Sequence, residues 1–340
     1  MRLGVLFLPN APGAPALARR LEDVGVDSLW VPELWGYDAL TGIAHTAAHT
    51  STIGLGTFVV QLGGRSPALL GGSALSLQQL SGGRFRLGVG VSGPQVIEGW
   101  HGVAFRKPVA TTRETIEIVR TVARGERLVH DGEVYPLPLP GGTGRALVPL
   151  AEPAAVPIYV AAMGPAMLRL TGAQADGWLG NAFVPEAAEV HLGPLREGAT
   201  AAGRTLADLD LVAPMAVEFH DDPAATAAAV DRHAGGYAFT IGAMGASGRN
   251  FYNDAFGRLG FAAEVAEVEA LWRAGRRDEA AAAVPRDLGR LTNLLGADAE
   301  IAARLETLAA AGITTLLAKL DGPPDEIVAT VERLLALLPR

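Results

Sequence analysis

The chain has 340 residues, 49% of them hydrophobic and 19% charged, enough to bury the core of one barrel-sized domain or of two ordinary ones. Its 28 lysines and arginines are outnumbered by 36 aspartates and glutamates, a formal charge of -8 with no basic block, which argues against nucleic acid or an anionic membrane as a partner. Cysteine is absent, which removes disulfides, thiolate nucleophiles and cysteine-ligated zinc together and suits a reducing cytoplasm, the expected location.

The opening run Arg2 to Leu8 is short, carries one charge and meets Pro9. It reads as a first buried strand rather than a signal peptide, and no apolar run approaches the roughly 20 residues of a membrane span. Leu17, Leu21 and Val24 then recur at helical spacing and stop at Gly25. Residues 28–31 followed by 39–50, 53–60 followed by 67–80, and 85–91 followed by 109–124 repeat the strand and helix alternation. After a Pro/Gly-rich excursion comes a fifth strand at 157–161 with its helix at 165–175. Residues 177–180, 209–219 and 314–319 are the remaining strand candidates, each followed by a helical stretch. Eight alternating units predict a (β/α)8 barrel rather than a doubly wound sheet. The expected organisation is one barrel domain over 1–340 with insertions near 92–108, 125–156 and 235–300.

Within "RFRLGVGVSGPQ", Gly88, Gly90 and Gly93 spell G-x-G-x-x-G, the pattern of a dinucleotide-binding turn. That turn belongs in the first β-α unit, with a glycine entering a helix and an acidic residue ending the next strand. Here three units come first, Pro94 and a loop through Gly102 follow, and Glu114 and Glu117 lie inside a helix. The stretch therefore reads as barrel strand four, whose small residues admit a flat ligand, with Val91, Ser92 and Gly93 at the C-terminal mouth.

Three segments carry a family resemblance: "LSGGRFRLGVGVSGPQVIEGWHG" (80–102), "PIYVAAMGPAMLRLTGAQADGWLGN" (157–181) and "GRNFYNDAFGRLG" (248–260). The chain resembles the bacterial-luciferase-like superfamily, and more closely its actinobacterial oxidoreductases that use the deazaflavin coenzyme F420. The resemblance implies a (β/α)8 barrel with a flavin or deazaflavin across its mouth. It places the cofactor phosphate in the loop Ala161, Ala162, Met163, Gly164, where free amides at a helix start and a proline at Pro165 suit an anion. It also implies a non-prolyl cis peptide at Phe58–Val59, bulging against the cofactor ring.

Arg65, Arg249 and Arg258 are the cations best placed for an anionic cofactor on an acidic protein. Glu33, set among Trp30, Leu34 and Trp35, is the candidate general acid, with helix capping or an arginine pair as its ordinary alternative. Relatives often place a histidine after this acid, and here Leu34 stands there. His101, beside Trp100 in a glycine-flanked loop, is the second proton-handling candidate, and packing is its alternative. Trp35, Trp100, Met244, Phe251 and Tyr252 are candidate substrate contacts, the last three in an insertion of the kind that covers barrel mouths. His45 and His49 lack a third ligand, so no metal is expected.

The leading expectation is an F420-dependent oxidoreductase moving a hydride between cofactor and a small molecule. The alternative is a reduced-FMN monooxygenase, and a non-catalytic ligand carrier comes third. A small-molecule substrate and a homodimer are the expected partners.

Overall fold

In the computed structural model, which describes residues 1–244 and 250–339, the eight apolar runs become parallel strands, the third of them split in two. The strands are β1 (Arg2–Leu6), β2 (Ser28–Val31), β3 (Gly54–Thr57), β4 (Val60–Gln61), β5 (Phe85–Gly90), β6 (Ile158–Ala161), β7 (Gly177–Leu179), β8 (Asp210–Phe219), β9 (Leu294–Gly296) and β10 (Thr315–Lys319). Pairing runs β1-β2-β3-β5-β6-β7-β8, and β10 joins β8 to β1, closing an eight-stranded parallel barrel. β4 continues the third barrel strand against β5. The short β9, absent from the sequence reading, pairs only with the far end of β8. Helices cover the outside while side chains fill the inside, so nearly every strand residue is buried, which is why the strands read as continuous apolar runs.

Large side chains plug the barrel interior. Trp30 and Tyr159 meet edge to face at 5.1 Å among Leu179, Val212 and Leu317. Their polar atoms are satisfied: Trp30 Nε1 donates to Ser28 Oγ at 2.9 Å, and the Tyr159 hydroxyl donates to Asp210 at 3.0 Å. Asp210 also receives the Thr315 hydroxyl at 2.7 Å and pairs with Arg2 at 2.7 Å. Burial, with the Asp210 charge beside it, pushes the Tyr159 phenol well above its ordinary range. The packed interior leaves the C-terminal ends of the strands as the place for a cavity.

The third barrel strand is broken by a bulge. Gly56 lies opposite Arg86 and Val60 opposite Val89, so residues 56 to 60 of one strand span 86 to 89 of the other, one extra residue. The peptide between Phe58 and Val59 within the bulge is cis. Thr57 repairs the interrupted ladder with its side chain: its hydroxyl accepts from Gly88 N at 2.9 Å and donates to the Gly88 carbonyl at 2.8 Å. A Cβ at Gly88 would stand 1.9 Å from the Thr57 carbonyl oxygen, and one at Gly90 2.7 Å from Val59 Cγ2. These glycines are thus required by strand crowding.

The insertions are tethered by specific contacts. In the excursion after the Pro108–Ala123 helix, the backbone amides of Glu133, Val134 and Tyr135 donate to the buried Glu114 carboxylate at 2.8–2.9 Å. The helices Phe251–Phe256, Ala262–Arg273, Arg277–Ala282 and Arg286–Leu291 pack on Pro223–Ala243 around a second core including Ile241, Phe256, Val268 and Leu288. Ala182 and Met163 connect that core to the barrel mouth. No helix among the described residues is long and apolar enough to cross a membrane.

Gly88→Ala should destabilise the fold by about 3 kcal/mol, because a methyl driven into a neighbouring carbonyl displaces both strands. Thermal unfolding checks it against Gly72→Ala. Gly72 lies in the Pro67–Ser81 helix with nothing within 4 Å of a Cβ, so that change should leave the midpoint equal or higher.

Candidate active site

A cavity of about 490 Å³ opens at the C-terminal ends of the strands. The bulge supplies Phe58 and Val59 to it, the β5 exit Gly90, Val91, Ser92 and Gly93, and the β6 exit Ala161, Ala162, Met163 and Gly164. Ser92 holds a left-handed φ of 56°, unusual for a residue with a side chain and found most often where surrounding structure enforces it. Leu34 and Trp35, beyond β2, line the same cavity as Met244, Phe251 and Tyr252 of the insertion. The Phe251 ring lies 6.3 Å from that of Phe105, so the insertion meets the loop that follows β5.

One end of the cavity is built for an anion. Gly164 is the N-cap of the Pro165–Gln174 helix and no side chain caps it. Pro165, Ala166 and Met167 of the first turn line the cavity. Unpaired amides and the helix dipole favour negative charge there, and proline at the start loses no needed donor. Arg258, also on the lining, donates to the Met163 carbonyl at 2.9 Å and sets a guanidinium beside the turn. A Cβ at Gly164 would meet nothing within 4 Å, so the space over this backbone is open. Arg249 lies outside the described residues.

Glu33 lines the cavity, but its carboxylate is occupied. Arg65 binds it in fork geometry, Nη1 to Oε1 and Nη2 to Oε2 at 2.8 Å each, and the backbone amides of Ala39 and Gln61 donate to it at 3.1 and 3.3 Å. Arg65 also pairs with Asp38, whose other oxygen caps the Ala39–Ala47 helix through Thr41 N at 2.6 Å. Burial opposes the Asp38 charge, yet the bonds from Thr41 and Arg65 outweigh it and hold the carboxyl below its ordinary range. Every group touching the Glu33 carboxylate donates to it, so the geometry is that of helix cap and arginine partner, not of a proton donor. Arg65, expected to face the cofactor, is absent from the lining and spent on the two carboxylates.

His101 and Trp100 also fall outside the lining. Trp100 is exposed. His101 packs on Gly64, and its Nε2 sits 2.7 Å from Gln61 Oε1. The Gln61 amide donates to the Glu33 carbonyl at 3.2 Å, which turns its oxygen to His101 and makes Nε2 the protonated nitrogen. Of the two readings of His101, proton handling and packing, the contacts fit the second: it braces Gln61, which does line the cavity.

Sequence reading missed Asn181, Gln61 and Asp254 on the lining. Asn181 follows β7 and hydrogen-bonds the side chain of Tyr252, whose phenol burial pushes above its ordinary range despite that bond. The signal for Asn181 was its place at the end of a strand, where barrel enzymes set their chemistry. Beneath this exit His191 is fully buried against Trp178 and Phe183, and burial, aided by the Arg258 charge, pushes its imidazole down to about 4. It is neutral and adds no charge to the anion end. Among the described residues no group of three or more histidines, aspartates or glutamates gathers as a metal site would require.

The family profile described as "Luciferase-like monooxygenase" matches residues 8–315. A Mycobacterium tuberculosis protein whose name assigns it to the coenzyme F420-dependent oxidoreductases is 39% identical over 88% of this chain and 88% of its own length. A 5,10-methylenetetrahydromethanopterin reductase from Methanolobus tindarius is 33% identical over 63% of this chain and 64% of that protein. Among solved structures, the coenzyme F420-dependent tetrahydromethanopterin reductase of Methanopyrus kandleri superposes with a TM-score of 0.77, covering 97% of both chains at 22% identity, which speaks to the fold. With a closed barrel, a bulged third strand and a profile match along most of its length, this chain belongs to the luciferase-like monooxygenase family.

Proposed function

We propose that the protein is a coenzyme F420-dependent oxidoreductase that moves a hydride between the deazaflavin and a C=C, C=N or C=O group of a small organic molecule. The observation that carries this reading is the cavity itself, an apolar slot between the Phe58–Val59 bulge and an uncapped helix start with a guanidinium beside it. Its volume falls within the range of small-molecule sites. The relatives supply the cofactor class, since a relative 39% identical over 88% of this chain carries F420 in its name.

The residues present fit such a group. Phe58 and Val59 would back the ring system, and Gly90 and Val91 leave room along its edge. The amides of Ala166 and Met167, with Arg258, would hold the phosphate. When bound, the deazaflavin supplies the ring carbon that accepts or donates the hydride. The chain excludes water with its apolar lining and presents the Trp35, Phe251 and Tyr252 side to the substrate.

Two measurements test this. In titrations followed by fluorescence, F420 should bind more tightly than FMN. Preferential FMN binding with oxygen-dependent turnover would move the protein to the flavin monooxygenases. Gly164→Val should weaken F420 binding by about tenfold or more, since the isopropyl group stands over the amides that take the anion. The thermal midpoint should hold, because Gly164 has an ordinary extended backbone (φ -80°, ψ 146°) and open space around it. An unchanged dissociation constant would place the phosphate elsewhere.

A further inference from the structure

We propose that the substrate is an uncharged, largely apolar carbonyl compound whose oxygen is received, and in the reductive direction protonated, by the Tyr252 hydroxyl. This rests on the hydride-transfer reading above and adds the substrate class and the proton donor. A hydride reaches the substrate as a proton with two electrons, so the product still needs a proton at the atom that takes the displaced electron pair. The lining groups must supply it or admit water.

The polar groups of the cavity divide sharply. Glu33 is saturated by Arg65 and backbone amides, and Gln61 is held between His101 and the Glu33 carbonyl. Asp254 is exposed at the rim. Arg258, the one cation on the lining among the described residues, sits at the helix start beside the Met163 carbonyl. Apart from the Ser92 hydroxyl at the β5 exit and Asn181 at the β7 exit, the lining includes Leu34, Trp35, Met244 and Phe251, a wall suited to a flat apolar body and poor in partners for a phosphate or carboxylate.

Tyr252 stands in that wall with a mobile proton and a fixed position. Its ring is partly buried, it lines the cavity, and the Asn181 side chain beside it favours the ionised phenol. Its backbone amide donates to Asn250 Oδ1 at 2.9 Å, and Asn250 Nδ2 donates to the Ile241 carbonyl at 2.8 Å, tying the short Phe251–Phe256 helix to the end of the long Pro223–Ala243 helix. Asn181 is in turn set by the β7 exit, where Ala182 holds a left-handed φ of 54°. Two polar residues from different elements thus line the same cavity and can offer an oxygen-binding point. For a conjugated enone the balance is complete. Hydride from reduced F420 adds to the β-carbon, the C=C electrons shift so that the pair rests on the carbonyl oxygen, and the Tyr252 O–H bond breaks to protonate that oxygen. Solvent then returns a proton to the phenolate, and the enol relaxes to the ketone. F420 is oxidised and the enone reduced.

The test uses the full-length protein with F420, cyclohex-2-enone and 4-phenylbut-3-en-2-one as neutral probes, and glucose 6-phosphate as the anionic one. F420 affinity is measured first for wild type and Tyr252→Phe and should agree, since the ring is kept and only the hydroxyl removed. Failure of the wild type to bind F420 would overturn the functional reading above, not the reading of Tyr252. Reduced F420 should be oxidised by at least one enone, with Tyr252→Phe slower by roughly 10²-fold. Binding of 4-phenylbut-3-en-2-one, followed calorimetrically without cofactor, should weaken about fivefold in Tyr252→Phe, as expected for one lost hydrogen bond. Turnover of glucose 6-phosphate in preference to the enones, or reduction of neither enone, overturns the substrate class. Equal rates and equal enone affinity in wild type and Tyr252→Phe overturn the role of the tyrosine.

Discussion

The mouth of this barrel depends on one crowded contact, the Thr57 carbonyl lying where a side chain at Gly88 would begin. A barrel closes only if neighbouring strands keep register, and an extra residue in the third strand breaks that register. The chain resolves the conflict locally: glycines on β5 give up their side-chain volume, and the Thr57 hydroxyl takes over both ladder bonds of Gly88. The displaced residues, Phe58 and Val59, are pushed into the cavity. The G-x-G of this sequence is thus a steric concession to the neighbouring strand, and its likeness to a phosphate-binding fingerprint follows from a shared need for backbone space.

A second constraint holds the same region from the other side. Glu33, Arg65 and Asp38 form a largely buried ionic cluster that joins the β2 exit, the Ala39–Ala47 helix cap and the loop after β4. A buried ion pair is a poor source of net stability, because desolvation offsets most of its attraction. Its directionality is what matters here. The fork geometry of the guanidinium orients the carboxylate, the carboxylate holds the Gln61 amide, and His101 fixes the far end of the Gln61 side chain. These contacts tie Glu33, Arg65 and His101 to Gln61, on the strand segment that follows the bulge.

The insertion after β8 folds into its own small core, shares Met163 and Ala182 with the barrel exits, and brings Tyr252, Phe251 and Arg258 over the opening. The helix start at the anion end comes from the barrel, while Arg258 beside it and the Met244, Phe251 and Tyr252 part of the lining come from the insertion.

The sequence by itself determined the barrel. Alternation of short apolar runs with helical periodicity depends only on residues near one another in the chain, and the observed strands lie within a residue or two of the predicted ones. The glycine and proline punctuation at 163–165 was legible for the same reason, whereas the bulge at 58–59 was expected only through the family resemblance. The missed β9 is three residues long and owes its existence to the overhang of β8, which no local pattern encodes. Only the tertiary structure decided what the polar residues do. Glu33 and Arg65 are 32 positions apart and His101 and Gln61 40, and nothing in the neighbourhood of Glu33 reveals that an arginine will saturate it. Asn181 and Tyr252 likewise meet only because a strand exit and an inserted helix converge. A carboxylate or imidazole takes its role from the groups that fold against it, and those come from elsewhere in the chain.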